Sequence, residues 1–236
     1  MLADLKQRSV VPEVMDQPDL DAHRHHGALR GLGRLNWWSG SAANLWSVIR
    51  RMANPQGRPL RILDVACGGG DVLVGIGLRA RRAGMKVELA GCDISPPALA
   101  FAGKRAKDRA VSVEFIPCDV LRDNLPEAFD CILSTLFLHH LATPQAVELL
   151  QKMKAATRDF LIINDLLRSR GGLALTHVAA RLLTRSDVVH VDGPRSVRAA
   201  FTIPEIEQVA SEAGCGDADT SKCWPCRFLL TWRKPR

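Results

Sequence analysis

The sequence lacks the segments that would send a protein into or across a membrane. No apolar run among its 236 residues is long enough to span a bilayer. The first eight residues, Met1 to Arg8, do not show the basic stretch followed by an apolar stretch that is typical of a secretory leader. We therefore expect a cytoplasmic protein.

The sequence also lacks the patterns of a disulfide framework and of a nucleic-acid surface. Its seven cysteines are an odd number, which fits reduced thiols better than paired ones. The formal net charge is +7, but the basic residues are dispersed, aromatic residues make up only 5% and tyrosine is absent. No basic patch is interleaved with aromatic side chains. We expect a solvated basic surface, a small-molecule substrate and no nucleic-acid partner, and a homodimer is left open.

Two nucleotide-binding motifs are missing as well. The P-loop is excluded because no Gly-Lys-Ser or Gly-Lys-Thr follows the glycines at 68–70. The dinucleotide pattern G-x-G-x-x-G fails because Leu73 occupies the third glycine position counted from Gly68 and Gly70. A later G-x-G-x-x-A match, at 75–80, begins inside a predicted helix, where small residues indicate packing. The glycines at 68–70 therefore predict a different ligand.

A strand, a tight turn and a helix are predicted around these glycines. An apolar run that contains Asp64 leads into the glycines and Asp71, and a second apolar stretch follows at once. Glycine permits positive φ and lets a ligand approach the backbone, while the amides of the first helical turn point toward that ligand. Asp93 ends the next apolar run and can accept hydrogen bonds from ribose hydroxyls. A ribose-containing cofactor is expected.

This arrangement resembles the class I S-adenosylmethionine-dependent methyltransferases, whose first motif is acid-x-Gly-x-Gly-x-Gly. Ala66 stands where that motif has its first glycine. Residues 129–141, an apolar fourth strand followed by Leu-His-His-Leu, resemble the quinone-biosynthesis-like small-molecule branch, methyltransferase type 11/12. The resemblance covers about residues 60–165. It implies an enzyme that uses S-adenosyl-L-methionine.

The fold that we expect is α/β, a Rossmann-like doubly wound, mostly parallel seven-stranded sheet. Alternating strand and helix patterns from Arg61 onward support it. By resemblance, the last strand runs antiparallel. We divide the chain into an N-terminal helical lid at 1–55 and a methyltransferase domain at 56–236, with a substrate-lid insertion at 166–200. Strands are predicted at 60–66, 86–92, 112–118, 129–135, 160–164 and 227–232, with helices at 72–83 and 97–106.

The resemblance also implies a set of cofactor-binding residues at or near the carboxyl ends of the first four strands, where open α/β sheets bind their ligands. In the resembled family, an acid after the third strand contacts the adenine amino group and the next apolar residue contacts the ring. The predicted cofactor set is Asp64, Ala66, Cys67, Gly68, Gly70, Asp71, Asp93, Ile94, Asp119, Val120 and Thr135.

Catalysis is expected to require a base, because a phenol has a pKa of about 10 in water. His139 and His190 are the candidates. Adjacent helical residues point about 100° apart, so only one of His139 and His140 is expected to face the methyl group, and His139 is preferred. His190 is placed in a predicted loop at 188–195. The predicted substrate-contacting residues are His140, Asn164, Asp165, His177 and Arg195.

No metal is expected, because His23, His25 and His26 have no cysteine or paired carboxylate at ligand spacing. Cys223-Trp-Pro-Cys226 precedes a predicted strand, which favours a turn between the last two strands over a redox dithiol. In the lid, the candidates for facing the pocket are Arg30, Arg34, Asn36 and Trp37.

The predicted function is methyl transfer to a small, aromatic or polyketide-derived hydroxylated acceptor, as in secondary metabolism, with O-methylation favoured over C-methylation. An RNA or protein methyltransferase is the first alternative, but residues 134–137 are not the Asn/Asp-Pro-Pro-Tyr/Phe motif of amino-group transfer to a base. A non-catalytic cofactor-binding scaffold is the second alternative.

Overall fold

Seven strands form one sheet in the part of the chain that the structure describes, residues 5–17, 19–52 and 57–235 of a computed structural model. The strands are β1 (Leu60–Val65), β2 (Val87–Asp93), β3 (Glu114–Pro117), β4 (Phe129–Thr135), β5 (Thr157–Leu166), β6 (Asp219–Cys223) and β7 (Arg227–Arg233). Their order across the sheet is β3-β2-β1-β4-β5-β7-β6. Strands β1 to β5 are parallel, whereas β7 is antiparallel to both β5 and β6. The predicted Rossmann-like fold, with its antiparallel last strand, is confirmed.

Eight α-helices accompany the sheet within the described ranges. They are α1 (Ala22–Trp38), α2 (Ser41–Ile49), α3 (Asp71–Arg82), α4 (Pro96–Asp108), α5 (Thr143–Ala156), α6 (Arg170–Leu183), α7 (Asp187–Ala199) and α8 (Ile203–Glu212). Short 3-10 helices lie at Val14–Asp16, Arg50–Met52 and Leu138–His140. None of the described helices combines the length and the apolarity needed to cross a membrane.

Both faces of the sheet are buried, as parallel strands require. Ile62 of β1 packs on the face covered by α2 and α3, while its neighbour Leu63 packs on the face covered by α5 and α8. Each of these side chains is fully buried, which stabilises the fold by about 1.5–3 kcal/mol per side chain. The ligand-binding groups are thereby restricted to the strand ends.

Two helices, α1 and α2, lie ahead of the first strand, in the region predicted to be helical. Helix α1 begins at Ala22, where the Asp21 carboxylate accepts a hydrogen bond from the Arg24 amide at 3.0 Å. Helix α2 continues as the 3-10 helix Arg50–Met52. The predicted boundary at 55/56 lies outside the described residues, so the division into domains stays a prediction.

Residues 188–195 form most of α7, so the predicted loop is wrong. That prediction rested on Gly193 and Pro194, which usually interrupt a helix. Pro194 lies inside α7 nonetheless. The helix is supported from outside, because Val188, Val189 and Val197 are each at most 2% exposed. Tertiary packing thus offsets the local preference.

Helices α1, α6 and α7 pack on one another above the carboxyl ends of the strands, and we refer to the three as the roof. Ala28 of α1, Ala180 of α6 and Val188 and Val189 of α7 form their shared apolar cluster. Residues 5–17 lie along α7 and add to the roof: the Val14 and Met15 amides donate to the two carboxylate oxygens of Asp192 at 2.9 and 3.0 Å.

Candidate active site

A cavity of about 730 Å³ lies between the carboxyl ends of the strands and the roof. Its walls come from β1, β2 and β4 below and from α1, α6 and α7 above. This is where the topology of an open α/β sheet directs a ligand.

The glycine-rich loop forms one wall. Gly68 and Gly70 have φ values of 50° and 66°, a conformation that costs glycine little. A Cβ on Gly70 would lie 2.9 Å from the Ala102 Cβ. The Asp93 carboxylate fixes the loop, accepting hydrogen bonds from the Gly68 amide at 2.8 Å and from the Ser95 amide at 2.9 Å. Each carboxylate oxygen can accept a further bond, which suits a ribose hydroxyl.

Arg105 is a supporting residue that the sequence did not indicate. From α4 it donates to the Gly69 carbonyl at 2.5 Å and reaches the Asp71 carboxylate at 3.4 Å. A second guanidinium nitrogen lies 3.5 Å from the Leu29 carbonyl of α1. The glycine-rich loop is therefore tied to the roof through one side chain. These contacts join elements far apart in the chain, so no local pattern reveals them.

Ten of the eleven predicted cofactor residues line this cavity, and the eleventh, Gly70, directly precedes α3. Those ten are Asp64, Ala66, Cys67, Gly68, Asp71, Asp93, Ile94, Asp119, Val120 and Thr135. Ile94 is 67% exposed, although it is a large apolar residue. An apolar side chain at the cavity edge offers a contact surface for a flat ring. The roles of these residues stay predictions.

Three buried polar atoms of cavity-lining residues have no hydrogen-bond partner in the described structure: Asp64 Oδ1, Thr135 Oγ1 and Arg227 Nε. Burial, together with the nearby charges of Asp71 and Asp93, raises the pKa of Asp64 well above its ordinary value. A buried polar atom without a partner is costly, and a polar or cationic ligand group at this position would remove that cost. The residues present thus fit the polar parts of S-adenosylmethionine.

His139 also forms part of the cavity wall and is 3% exposed. Its Nδ1 donates to Asp165 Oδ1 at 2.6 Å, and its amide donates to the other oxygen of Asp165 at 3.2 Å. Its Nε2 lies 3.7 Å from Glu13 Oε1. Burial alone would lower the pKa of His139, but the charges and hydrogen bonds of Asp165 and Glu13 overcome this and raise that pKa to about 10.

Glu13 is the residue at this wall that the sequence did not indicate as functional. It is 8% exposed and accepts a hydrogen bond from the Ser196 hydroxyl of α7. Although burial opposes its ionisation, contacts with His139 and His140 lower the pKa of its carboxyl group. In the sequence, Glu13 belongs to a turn-rich stretch ahead of α1, and its partners lie more than 120 residues away. Contacts between residues so far apart in the chain produce no periodic pattern in the sequence, so the sequence did not reveal the role of Glu13.

Both His139 and His140 line the cavity. Which of the two faces the methyl group stays a prediction. His140 Nδ1 lies 3.1 Å from Asp16 Oδ2, and its Nε2 lies 3.8 Å from Glu13 Oε2. The two residues belong to the 3-10 helix Leu138–His140. Glu13, His139 and His140 each offer a ligand atom, and these atoms all lie within 4.8 Å of one another, a combination that the sequence did not predict.

Five of the predicted catalytic and substrate-contacting residues do not line the cavity: His190, His177, Asn164, Arg195 and Asp165. His190 Nε2 lies 3.1 Å from the Ala180 carbonyl and 2.9 Å from the Thr184 carbonyl, so it ties α7 to α6. His177 contacts Arg181 one helical turn further on. Asn164 is fully buried and donates to the Phe228 carbonyl at 3.0 Å.

Arg195 lies against residues 5–17, which we call the N-terminal segment. One of its guanidinium nitrogens lies 3.3 Å from the Pro12 carbonyl and 3.5 Å from Asp192 Oδ1. Asp165 reaches the cavity through His139. Of the roof candidates, Asn36 lines the cavity, while Arg30 and Arg34 are exposed and Trp37 is 85% exposed.

The predicted turn at 223–226 is present between β6 and β7, and all seven cysteines are free thiols.

Residues 62–159 match the model of a family described as a methyltransferase domain. The matched residues make up less than half of the chain. They contain the glycine-rich loop, Asp93, His139 and His140, while Glu13, Asp165 and the roof lie outside them. This match and the fold confirm the predicted resemblance to class I S-adenosylmethionine-dependent methyltransferases.

Two curated relatives are similar to parts of this chain. The demethylmenaquinone methyltransferase of Thermus thermophilus is 40% identical over 75 residues, which are 31% of this chain and 32% of the relative. The ubiquinone biosynthesis O-methyltransferase of Pseudomonas syringae pv. tomato is 30% identical over 116 residues, 48% of this chain and 42% of the relative. The chain thus spans less than half the length of each of these two curated relatives.

A solved structure of the plantazolicin methyltransferase BpumL, in complex with a monoazolic desmethylPZN analog and SAH, has a TM-score of 0.59 to this chain. It is 17% identical, and the alignment covers 94% of this chain and 88% of that one. At this identity the likeness establishes the fold alone, and it extends over nearly all of the chain, including elements outside residues 62–159.

Proposed function

We propose that this chain transfers a methyl group from S-adenosylmethionine to a hydroxyl group of a small aromatic or polyketide-derived acceptor. The observation that carries the proposal is the buried His139–Asp165 pair at the wall of a cavity that also holds the glycine-rich loop and Asp93. A proton acceptor and a cofactor cradle share one enclosed space. O-methylation needs both, since the acceptor hydroxyl must lose its proton.

S-adenosylmethionine supplies an already activated methyl group. The chain has to bind it, orient the acceptor and exclude water. Gly68, Asp93 and Asp119 would hold the adenosine part, and the roof would exclude water. The remaining task is to take the proton of the acceptor.

His139 is suited to that task by its two partners. Asp165 accepts a hydrogen bond from Nδ1–H, so Nε2, which also lies 3.7 Å from Glu13 Oε1, is the nitrogen that would take the proton of the acceptor hydroxyl. The pKa of His139, raised to about 10, is close to that of a phenol, about 10 in water. Proton transfer between groups of similar pKa needs little driving force. The resting imidazole is protonated at neutral pH, so the reactive form increases as the pH rises toward 10.

The cavity walls support an apolar acceptor. Leu32 and Leu35 of α1, Leu175 and Ala179 of α6 and Val197 of α7 face the cavity from the roof. Apolar walls with few polar groups are typical of small-molecule sites. The name of the Pseudomonas syringae relative, an O-methyltransferase of ubiquinone biosynthesis, favours oxygen over carbon as the atom methylated here.

A transfer assay tests the proposal. The protein is incubated with S-adenosylmethionine labelled in its methyl group and with pairs of phenols and their methyl ethers, which share a carbon skeleton but differ in the free hydroxyl. We expect label in the phenols only. Label in the carbon skeleton of both members would contradict O-methylation. RNA and protein acceptors form further arms, and label in either would overturn the small-molecule assignment.

A chelator arm tests the role of His139. If the base is His139 alone, activity with a phenol survives EDTA. Activity that is lost with EDTA and restored by Zn²⁺ would instead make Glu13, His139 and His140 metal ligands, because their ligand atoms converge.

A further inference from the structure

Arg227 is a buried cation that the proposed chemistry does not yet use. It is 4% exposed and is the first residue of β7, opposite Leu166 at the carboxyl end of β5. Because β7 runs antiparallel to β5, its first residue lies at the same edge of the sheet as the ends of the parallel strands. Arg227 lines the cavity together with Asn36, Asp64 and Asp71.

The hydrogen-bond partners of Arg227 are all neutral oxygens. One guanidinium nitrogen donates to the Ser41 hydroxyl at 2.5 Å and lies 3.5 Å from Asn164 Oδ1. The other donates to Asn36 Oδ1 at 3.1 Å. The buried Nε has no partner, and no carboxylate of the described residues lies within ion-pair distance. Burial accordingly lowers the pKa of Arg227 to about 10.

An acidic side chain that lacks a cationic partner lines the same cavity. Asp64 is 1% exposed, and its Oδ1 has no partner in the described structure. Asp64 and Arg227 do not pair with each other, so one cavity holds a carboxylate without a cation and a guanidinium without an anion. Buried charges are costly unless they are paired. A ligand that carries an ammonium and a carboxylate would satisfy both.

We propose that Arg227 binds the α-carboxylate of S-adenosylmethionine, while Asp64 binds its α-ammonium group. The inference rests on the proposed use of this cofactor and adds the residue that holds its amino-acid end. A guanidinium matches a carboxylate with paired N–H donors. Asn36 of α1 and Ser41 of α2 are positioning residues, because they fix the plane of the guanidinium.

Binding of three related ligands, measured by calorimetry without acceptor, tests this assignment. The ligands are S-adenosylmethionine, decarboxylated S-adenosylmethionine, which lacks only the α-carboxylate, and 5′-methylthioadenosine, which lacks the whole amino-acid end. The wild type should bind the first about 10- to 100-fold more tightly than the second, the span of hydrogen bonds to charged groups. In Arg227→Met this preference should disappear, with 5′-methylthioadenosine bound as in the wild type.

Two further variants control the experiment. Arg233→Met removes an exposed arginine from the far end of the same strand and should retain the wild-type preference. Arg227→Lys keeps the charge but loses the planar guanidinium, so its preference for S-adenosylmethionine over the decarboxylated ligand should be intermediate. This variant replaces Arg227→Met in the test if Arg227→Met does not fold.

Three outcomes separate the proposals. An undiminished preference in folded Arg227→Met, or equal binding of the two sulfonium ligands by the wild type, overturns the role of Arg227 and leaves the proposed function intact. The same holds if Arg227→Met raises only the KM of acidic acceptors, which would mean that Arg227 binds the acceptor. Failure of the wild type to bind S-adenosylmethionine at all would overturn the proposed function itself.

Discussion

Ala66 shows how a single residue can carry strain at a ligand site. Its φ is 58°, in the left-handed region, at the position where the resembled motif has glycine. That conformation costs a residue with a Cβ about 1–2 kcal/mol. Ala66→Gly should therefore raise the free energy of unfolding by roughly 0.5–1 kcal/mol, because relief of strain exceeds the added entropy of the unfolded chain.

Urea denaturation measures this change. Ala100→Gly, at an exposed position inside α4, is the matched control and should lose about 1 kcal/mol, because glycine is unfavourable within a helix. If both variants lost stability to the same extent, Ala66 would not be strained.

Asp93 is the residue that we predict to bind the ribose hydroxyls. Replacement by alanine removes both carboxylate oxygens and should weaken S-adenosylmethionine binding by about 1.5–3 kcal/mol, the range for hydrogen bonds to charged groups. Calorimetry of folded Asp93→Ala beside Asp108→Ala, whose carboxylate lies at the end of α4 and does not line the cavity, isolates the effect. If Asp93→Ala bound S-adenosylmethionine as tightly as the wild type, Asp93 would not be the residue that binds the ribose.

At the scale of elements, the roof and the N-terminal segment pack as one layer over the cavity. Asp192 of α7 holds the segment through the amides of Val14 and Met15, and this contact also brings Glu13 to His139. If this layer closes over ligands as a lid, S-adenosylmethionine and an acceptor should increase its protection from hydrogen exchange.

Hydrogen exchange followed by mass spectrometry tests this. We expect increased protection in α1, α6 and α7, with no change in α5 and α8 on the far face of the sheet. Equal protection of the roof in the free and the bound protein would mean that it is a fixed wall, and the predicted lid at 1–55 and 166–200 would be wrong.

The sequence predicted those elements whose structure is decided by their own residues and missed those decided by contacts with distant parts of the chain. The strands and the glycine-rich loop follow from apolar runs and from glycines, both local signals. The sequence placed α7 in a loop because Gly193 and Pro194 disfavour helix, whereas packing against α1 and α6 decides the outcome. Glu13, Arg105 and Arg227 act through contacts between distant parts of the chain, which no period or spacing reveals.

At the scale of the whole molecule, the buried pair of His139 and Asp165 makes stability depend on pH. The pKa of His139 is raised from 6.5 to about 10 in the folded protein, so the folded state binds this proton more tightly than the unfolded state. The resulting stabilisation is fully present below pH 6.5 and is lost as the pH rises to 10.

Urea denaturation of the wild type and of His139→Gln over this range checks the linkage. The excess stability of the wild type should decline steadily between pH 6.5 and pH 10. A constant difference between the two proteins would show that His139 is not held as an imidazolium.

The most direct test of the account is the pH profile of kcat/KM for a phenolic acceptor, measured for the wild type and for His139→Gln. If His139 takes the acceptor proton, the wild-type value rises with pH until about pH 10, where the imidazole loses its own proton. His139→Gln should be about 10²–10⁴-fold slower, with unchanged affinity for S-adenosylmethionine. A His139→Gln enzyme with wild-type activity and the same profile would contradict the assignment of His139 as the base.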